Sequence, residues 1–407
     1  MKLLVIGYVW PEPNSSAAGS RMMSLINTYQ QHGWQVTFAS PAQLSPHRLD
    51  LTQQNIDEVS IKVNCSSCDK FVTDLKPDAV LFDRFMMEEQ FGWRVEKHCP
   101  SAIRILDLED LHFLRHARHQ AHKKQHPLLP TDLHTELAVR EIASIYRCDL
   151  TLVISRAEMD LLTRQFHVPD DILLYSPFML DMQQLPTKEQ LPVFEQRQHF
   201  ISIGNFRHEP NWDAVLWLKQ TIWPLIRKQL PHAELHIYGA YPPKKATDLH
   251  NAKQGFLVKG WAENAGEVMQ NARVCLAPLR FGAGLKGKLL DAMTFGTPSV
   301  TTRIGAEGMS SPGNWAGIIA ESPETIASAA VALYQDQQQW LAAQQTGFEL
   351  LKQYDQQVHQ KALMQCTDLI QQSLDQHRQE NFYGMMLRHH SMKSTQYMAQ
   401  WIEAKNK

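Results

Sequence analysis

The chain has 407 residues, 43% of them hydrophobic and 20% charged, with a formal net charge of −2. At roughly 100–200 residues per domain, that length predicts two or three domains. The near-neutral charge excludes a global binder of nucleic acid or other polyanions, while leaving a local basic patch open. The six cysteines are too sparse for a disulfide scaffold, which makes a reducing cytoplasm the expected compartment. Cys65 and Cys68 form a lone Cys-x-x-Cys with no second pair at zinc spacing, so no metal site is expected.

The chain opens on an apolar run at 3–8, preceded by Lys2 and followed by Pro11-Glu12-Pro13. It is too short for a membrane span and reads as a strand buried on both faces rather than a leader. A loop of small residues through 20 precedes a helix at 21–32, which stops at Gly33. Further strands are expected at 36–39, 60–63, 79–82, 103–106 and 150–154, and helices at 86–98, 133–146 and 157–166. Strands alternating with helices predict a parallel sheet covered on both sides. The proline-containing stretch 180–198 lacks periodicity and reads as a linker. A second alternating series starts with a strand at 200–204 and a helix at 212–228. Strands at 234–238 and 256–258 follow, then a helix at 262–271 and a strand at 274–277. After the segment described next come a strand at 317–320 and a helix at 323–334. The glutamine-rich remainder is helical in character to about 377, and the tail 381–407 either crosses back to the first domain or is partly disordered. The expected division is therefore 1–179, a linker at 180–198, a second domain at 199–365 and terminal helices at 366–407. Ligands of such doubly wound sheets bind at the carboxyl ends of the strands, so the cleft between the domains is the expected site.

The most informative segment runs from Ala277 to Val300. It reads as strand, glycine loop, helix, turn, strand. Gly282, Gly284 and Gly287 allow close backbone approach where a helix begins. Lys286 and Lys288 lie in its first turn, and Asp291 follows one turn on. A helix N-terminus with free N–H groups and lysines is a seat for phosphate, and the carboxylate can accept from ribose hydroxyls. A second strand-to-helix junction in the same domain, at Gly204, supplies Arg207 as another phosphate ligand.

These residues resemble the donor-binding half of GT-B glycosyltransferases, especially the retaining family 4 type. The matching positions are Gly284, Lys286, Lys288, Asp291, Ala292, Met293, Gly296 and Pro298, with the turn 304–308 and the Gly204–Arg207 loop. The resemblance implies an α/β fold of two Rossmann-like domains facing a central cleft. It implies transfer of a sugar from a nucleoside-diphosphate sugar to a hydroxyl on a glycan, lipid-linked or protein acceptor, with retention and without a metal or other cofactor. Arg207 and Lys288 would stabilise the leaving diphosphate. The backbone of Gly282, Ala283, Gly284 and Leu285 would hold sugar hydroxyls. The chain departs from the family at Ala283, where a glutamate is usual. An epimerase on the same layout, or a nucleotide-sugar-binding protein without turnover, are the competing expectations.

In the first domain the resemblance places the loop containing Ser16, Ala17, Ala18 and Gly19 beside the acceptor and donor phosphate. It also puts Asp110 and His112 in the cleft as catalytic candidates. The segment 115–126 is rich in Arg, Lys and His. It reads either as a solvated helix or loop, or as a basic surface for an anionic membrane or lipid-diphosphate acceptor.

Overall fold

The continuous apolar runs become central strands because helices cover both of their faces. In the computed structural model, which describes residues 1–311 and 313–406, the first sheet comprises β1 (Lys2–Ile6), β2 (Gln35–Ser40), β3 (Asp57–Ser60), β4 (Ala79–Asp83), β5 (Ile103–Asp107), β6 (Leu150–Val153) and β7 (Leu173–Tyr175). Its order is β3-β2-β1-β4-β5-β6-β7, with every pairing parallel. The second sheet comprises β8 (Gln198–Ile203), β9 (Leu235–Tyr238), β10 (Phe256–Gly260), β11 (Ala272–Ala277), β12 (Ser299–Thr301) and β13 (Gly317–Ile319). It is again all parallel, in the order β10-β9-β8-β11-β12-β13. The strand order therefore reverses between β1 and β4 in one sheet and between β8 and β11 in the other. A crevice opens at such a reversal, at the carboxyl ends of the strands.

Two expectations change. The strand expected at 60–63 lies at Asp57–Ser60, on the sheet edge, where half-exposed Asp57 and Glu58 hide the apolar signal. The helix expected from 21 begins at Ala17, capped by the Ser16 hydroxyl, which accepts from the Gly19 N–H at 3.1 Å. Ser16, Ala17, Ala18 and Gly19 are thus a cap and a first helical turn, not a loop. Gly19 is required there because a Cβ would strike the backbone of Glu12, which folds over the turn.

The helices Pro323–Gln335 and Gln337–Leu351 stay on the second sheet; Trp340 of the latter donates to the Arg273 carbonyl at 2.7 Å. The chain then returns to the first domain. Leu180 and Gln356 are joined through backbone bonds, Leu180 N–H to Tyr354 O at 2.7 Å and Gln356 N–H to Leu180 O at 2.9 Å. The helix Gln356–Gln372 adds Leu363, Met364 and Ile370 to the core formed by β1 and the helix Ala17–Gln31. Its Thr367 meets the Tyr29 hydroxyl at 3.1 Å. The final helix, Phe382–Lys405, lies across the helices Phe85–His98 and Glu136–Arg147.

Candidate active site

The second domain supplies the loops after β8 and β11. The Lys288 ammonium, in the first turn of the helix Gly287–Thr294, donates to Asn211 Oδ1 at 2.6 Å. Gly204, at the end of β8, closes this group. A Cβ at Gly204 would lie 2.7 Å from Lys288 Nζ and 2.6 Å from Asn211 Nδ2. Glycine is what allows the cation to reach the backbone here. Burial pulls the Lys288 ammonium down to about 8, and burial pushes the Asp291 carboxyl up to about 7. Both values indicate charges short of solvent, which an anionic, hydroxyl-bearing ligand would compensate.

Lys286, expected at the phosphate, instead clamps the glycine loop. It donates to Gly284 O at 2.6 Å and Ala283 O at 3.2 Å. Burial lowers it to about 8 even though Glu307, Glu158 and Asp110 pull the other way. Arg207 is exposed, and its guanidinium lies over the Tyr241 ring at 3.5 Å rather than beside Lys288.

The glycine loop is also engaged by the first domain. The Gly284 N–H donates to Glu158 Oε1 at 2.7 Å, and the same oxygen takes the Leu111 N–H at 3.1 Å. That N–H, expected to hold a sugar hydroxyl, is occupied by a first-domain carboxylate. Ala283 packs into the apolar core of the first domain. Leu285 is buried beside Ile154 and Phe178. Gly282 offers its carbonyl to Arg118 Nη1 at 2.8 Å, and Arg118 also grips Glu307 with two bonds of 2.7 Å. Phe281 is stacked by His119, with ring centroids 4.2 Å apart.

The segment 115–126 is therefore neither a solvated surface nor a mobile loop over most of its length. The helix His112–Lys123 forms the seam between the domains. Its apolar side, Phe113, Leu114, Ala117 and Ala121, faces the first core, while Arg118 and His119 meet the second domain. A further bridge joins the Tyr241 hydroxyl to Glu12 Oε1 at 2.8 Å. Burial raises the Glu12 carboxyl, but hydrogen bonds from Ser15, Ser45 and Tyr241 outweigh it and hold the group below its ordinary value.

On the first-domain side, Asp110 is buried against the glycine loop. Burial raises its carboxyl, but Arg115, which bonds it, together with His112 and His208 holds it far below the ordinary value. His112 Nδ1 sits 3.0 Å from the Asp110 carbonyl and 3.4 Å from Glu141 Oε1. Glu141 in turn accepts the N–H groups of His112 and Phe113 at 3.1 and 2.9 Å, capping their helix. A Cβ on Gly284 would lie 2.8 Å from that of Asp110, and Gly284 has φ +64°. Gly284→Ala is expected to destabilise the protein by about 1–3 kcal/mol through the left-handed backbone alone, read from urea unfolding, and to push Asp110 out of place.

Sequence reasoning missed the acidic floor at the carboxyl ends of β4 and β5. Asp83, Asp107 and Glu109 converge there with Arg21 and Arg84. Arg21 binds Asp107 at 2.8 Å, whereas Asp83 Oδ1, Asp107 Oδ2 and Glu109 Oε1 are buried without hydrogen-bond partners. Burial and the neighbouring Asp107 push Glu109 up to about 8. Arg84 and Glu109 both adopt left-handed backbone, φ 70° and 61°, a conformation that non-glycine residues hold only when the surroundings dictate it. No periodic signal marks such positions. A charged residue ending an otherwise apolar strand, as Asp83 does, was the available cue. A recess of about 350 Å³ lined by Phe85, His112, Arg115, His116, Arg140 and Glu209 opens beside this floor. Among the described residues no group of three or more His, Cys, Asp or Glu is placed to hold a metal ion.

Two doubly wound domains whose switch points face one another, with a lysine-bearing helix start on one side, define the GT-B class of fold. Solved structures agree. Sucrose-phosphate synthase from Thermosynechococcus elongatus superposes with TM-score 0.67 over 92% of this chain and 99% of that one, at 14% identity. HepE of Anabaena, in complex with UDP and glucose, gives 0.66 over 90% and 99%, at 11% identity. TarM of S. aureus, in complex with fondaparinux, α-GlcNAc-glycerol and UDP, gives 0.58 over 74% of this chain and 58% of its own, at 13% identity. Residues 197–336, essentially the second domain, match the family model of glycosyl transferases group 1. A curated relative, an uncharacterized 44.6 kDa protein in the cps region of Klebsiella pneumoniae, is 25% identical over 167 residues; the match spans 39% of this chain and 40% of that protein. The family match thus covers about a third of the chain, and the solved structures share its GT-B fold.

Proposed function

We propose that this protein transfers a sugar from a nucleoside-diphosphate sugar to a hydroxyl acceptor, retaining the anomeric configuration and using no metal ion. The observation that carries the reading is the convergence of Gly204, Asn211 and Lys288 at the start of the helix Gly287–Thr294. The diphosphate lies against that helix start, where its charge meets the Lys288 ammonium and the positive end of the helix. Asp291, one turn on, receives the ribose. As the glycosidic bond breaks, its electron pair passes to the diphosphate oxygen, which Lys288 stabilises. The acceptor hydroxyl attacks from the same face, and the leaving phosphate oxygen takes its proton. Asp110 and the acidic floor of Asp83 and Glu109 orient that hydroxyl. The closed seam excludes water that would otherwise hydrolyse the donor. Arg207 joins the diphosphate by leaving Tyr241. The nucleotides bound by HepE and TarM lend support to this choice of donor. The expected place of action is the cytoplasm, with a glycan, lipid-linked or protein acceptor.

A thermal melt with UDP, GDP, ADP, CDP and dTDP tests the donor side. One of them at about 100 times its Kd should add about 2.7 kcal/mol of apparent stability, a rise in Tm of several degrees. No shift with any nucleotide would remove the reading. Ala283 favours a second one, binding of the nucleotide sugar without transfer, because its side chain is buried in the first domain and offers the sugar nothing polar. Donor incubated alone and donor with an acceptor panel, followed by product analysis, separate transfer from epimerisation and from mere binding.

A further inference from the structure

The final helix, Phe382–Lys405, has an inner apolar face and an outer face on which aromatic, methionine and basic residues mix. One is used. Met392 and Ala399 pack with Trp93, Asn381 Nδ2 donates to the Tyr146 carbonyl at 2.8 Å, and Glu403 Oε1 accepts from the Ser66 hydroxyl at 2.6 Å. These anchors fix the rotation of the helix on the first domain. The other face is exposed. It presents Phe382, Met386, Tyr397 and Trp401, which are 66%, 43%, 63% and 59% accessible, with the exposed His389, His390, Lys393 and Gln400 between them. At 3.6 residues per turn, positions 382, 386, 393, 397 and 401 lie along one side. Lys393 and Lys405 are exposed among them, and no exposed described residue of this helix is Asp or Glu. Its only carboxylate, Glu403, is turned to Ser66.

From this pattern we propose that the outer face of Phe382–Lys405 is a docking surface for an anionic lipid bilayer. Aromatic and methionine side chains over lysines, without a carboxylate, suit the boundary between headgroups and acyl chains. The lysines add attraction to anionic lipids. A second copy of the chain fits less well, because a symmetric pair would bring lysines against lysines with nothing to neutralise them. No described helix is long and apolar enough to cross a bilayer, so the helix lies on the surface. It rests on the helices Phe85–His98 and Glu136–Arg147, and Phe85 and Arg140 of those helices also line the recess beside the acidic floor. In the segment 115–126 Arg118 and His119 are taken up by the seam, while His116, Lys123 and Lys124 stay exposed. The inference does not depend on the sugar-transfer reading.

The test is flotation of the full chain with phosphatidylcholine vesicles, with and without about one quarter phosphatidylglycerol, at low and high salt. Binding should require the anionic lipid and weaken as salt rises. A Phe382→Ser, Tyr397→Ser, Trp401→Ser variant should lose most of the binding, and a Lys393→Glu, Lys405→Glu variant should bind about tenfold or more weakly. All five residues are exposed, so circular dichroism and Tm should stay at the parent values. Absence of binding to anionic vesicles would overturn the proposal. So would binding that both variants retain, or a dimer in solution that the serine variant dissolves while the parent ignores vesicles.

Discussion

Lys288→Ala is expected to lower kcat about 10²–10³-fold while leaving the melting temperature near that of the parent. The loss follows from where the charge sits. Lys288 is the cation that both sequence spacing and geometry place at the helix start, where the missing side chain of Gly204 makes room for it. An alanine removes the ammonium from the leaving diphosphate and frees Asn211 Oδ1 for water, so the transition state loses more than the ground state. Arg207→Ala should cost less, because Arg207 rests on Tyr241 and must leave that ring before it reaches the phosphate. The lowered ammonium also gives a pH signature. Bound diphosphate favours the charged lysine, so nucleotide affinity should hold below about pH 8 and fall above it as the free protein loses that proton. The comparison is between the parent and Lys288→Ala, in which the slope should be shallower. Calorimetric titration across pH checks this. Turnover and a pH slope unchanged by the substitution would remove Lys288 from the site.

The sequence was legible where one physical signal dominates. Buried parallel strands read as continuous apolar runs, and Leu3 to Ile6, Leu150 to Val153 and Val274 to Ala277 are found as strands for that reason. The glycine loop and its lysines were visible because glycines before a helix have few other uses. What stayed hidden depends on partners far along the chain. Lys286 and Lys288 are two residues apart and look alike, yet one clamps its own loop and the other meets Asn211. Nothing local separates them; the domain seam does, by turning Lys286 toward Glu158, Glu307 and Asp110. Arg118 likewise reads as one basic residue among many, and its role follows only from Glu307, 189 positions on. Ser16 was hidden for a different reason. Ala-Ala-Gly-Ser has small side chains and no apolar periodicity, so a capped helix start is indistinguishable from a loop until Glu12 is seen folded over Gly19.

Glu158→Gln is expected to flatten the dependence of stability on pH, and Glu158→Ala to unfasten the two domains. The carboxyl is buried in the seam, where burial and the neighbouring Asp110 raise it to about 8 against an ordinary value of 4.5. The folded protein therefore binds this proton more tightly than the unfolded chain. Its contribution is fully present below about pH 4.5 and fades as pH rises, until it is gone above about pH 8. The parent should lose several degrees of Tm between about pH 5 and about pH 9, and the loss should be smaller in Glu158→Gln. Glutamine keeps an oxygen for the Gly284 and Leu111 N–H groups and places an NH₂ where the proton stood, so it should cost little at low pH. Alanine leaves both N–H groups without an acceptor in a buried place, at about 1–3 kcal/mol each. Asp291 and Glu109, also raised by burial, slope the same way, and Lys286 and Lys288 slope the opposite way, so only the difference between parent and glutamine variant isolates Glu158. Because Glu158 joins a first-domain helix to the glycine loop, its ionisation acts on the closed arrangement of the cleft. Small-angle scattering of Glu158→Ala should report a larger radius of gyration than the parent at neutral pH. Equal radii and parallel pH profiles in parent and variants would show that the seam is held by Arg118 and Glu12 without it.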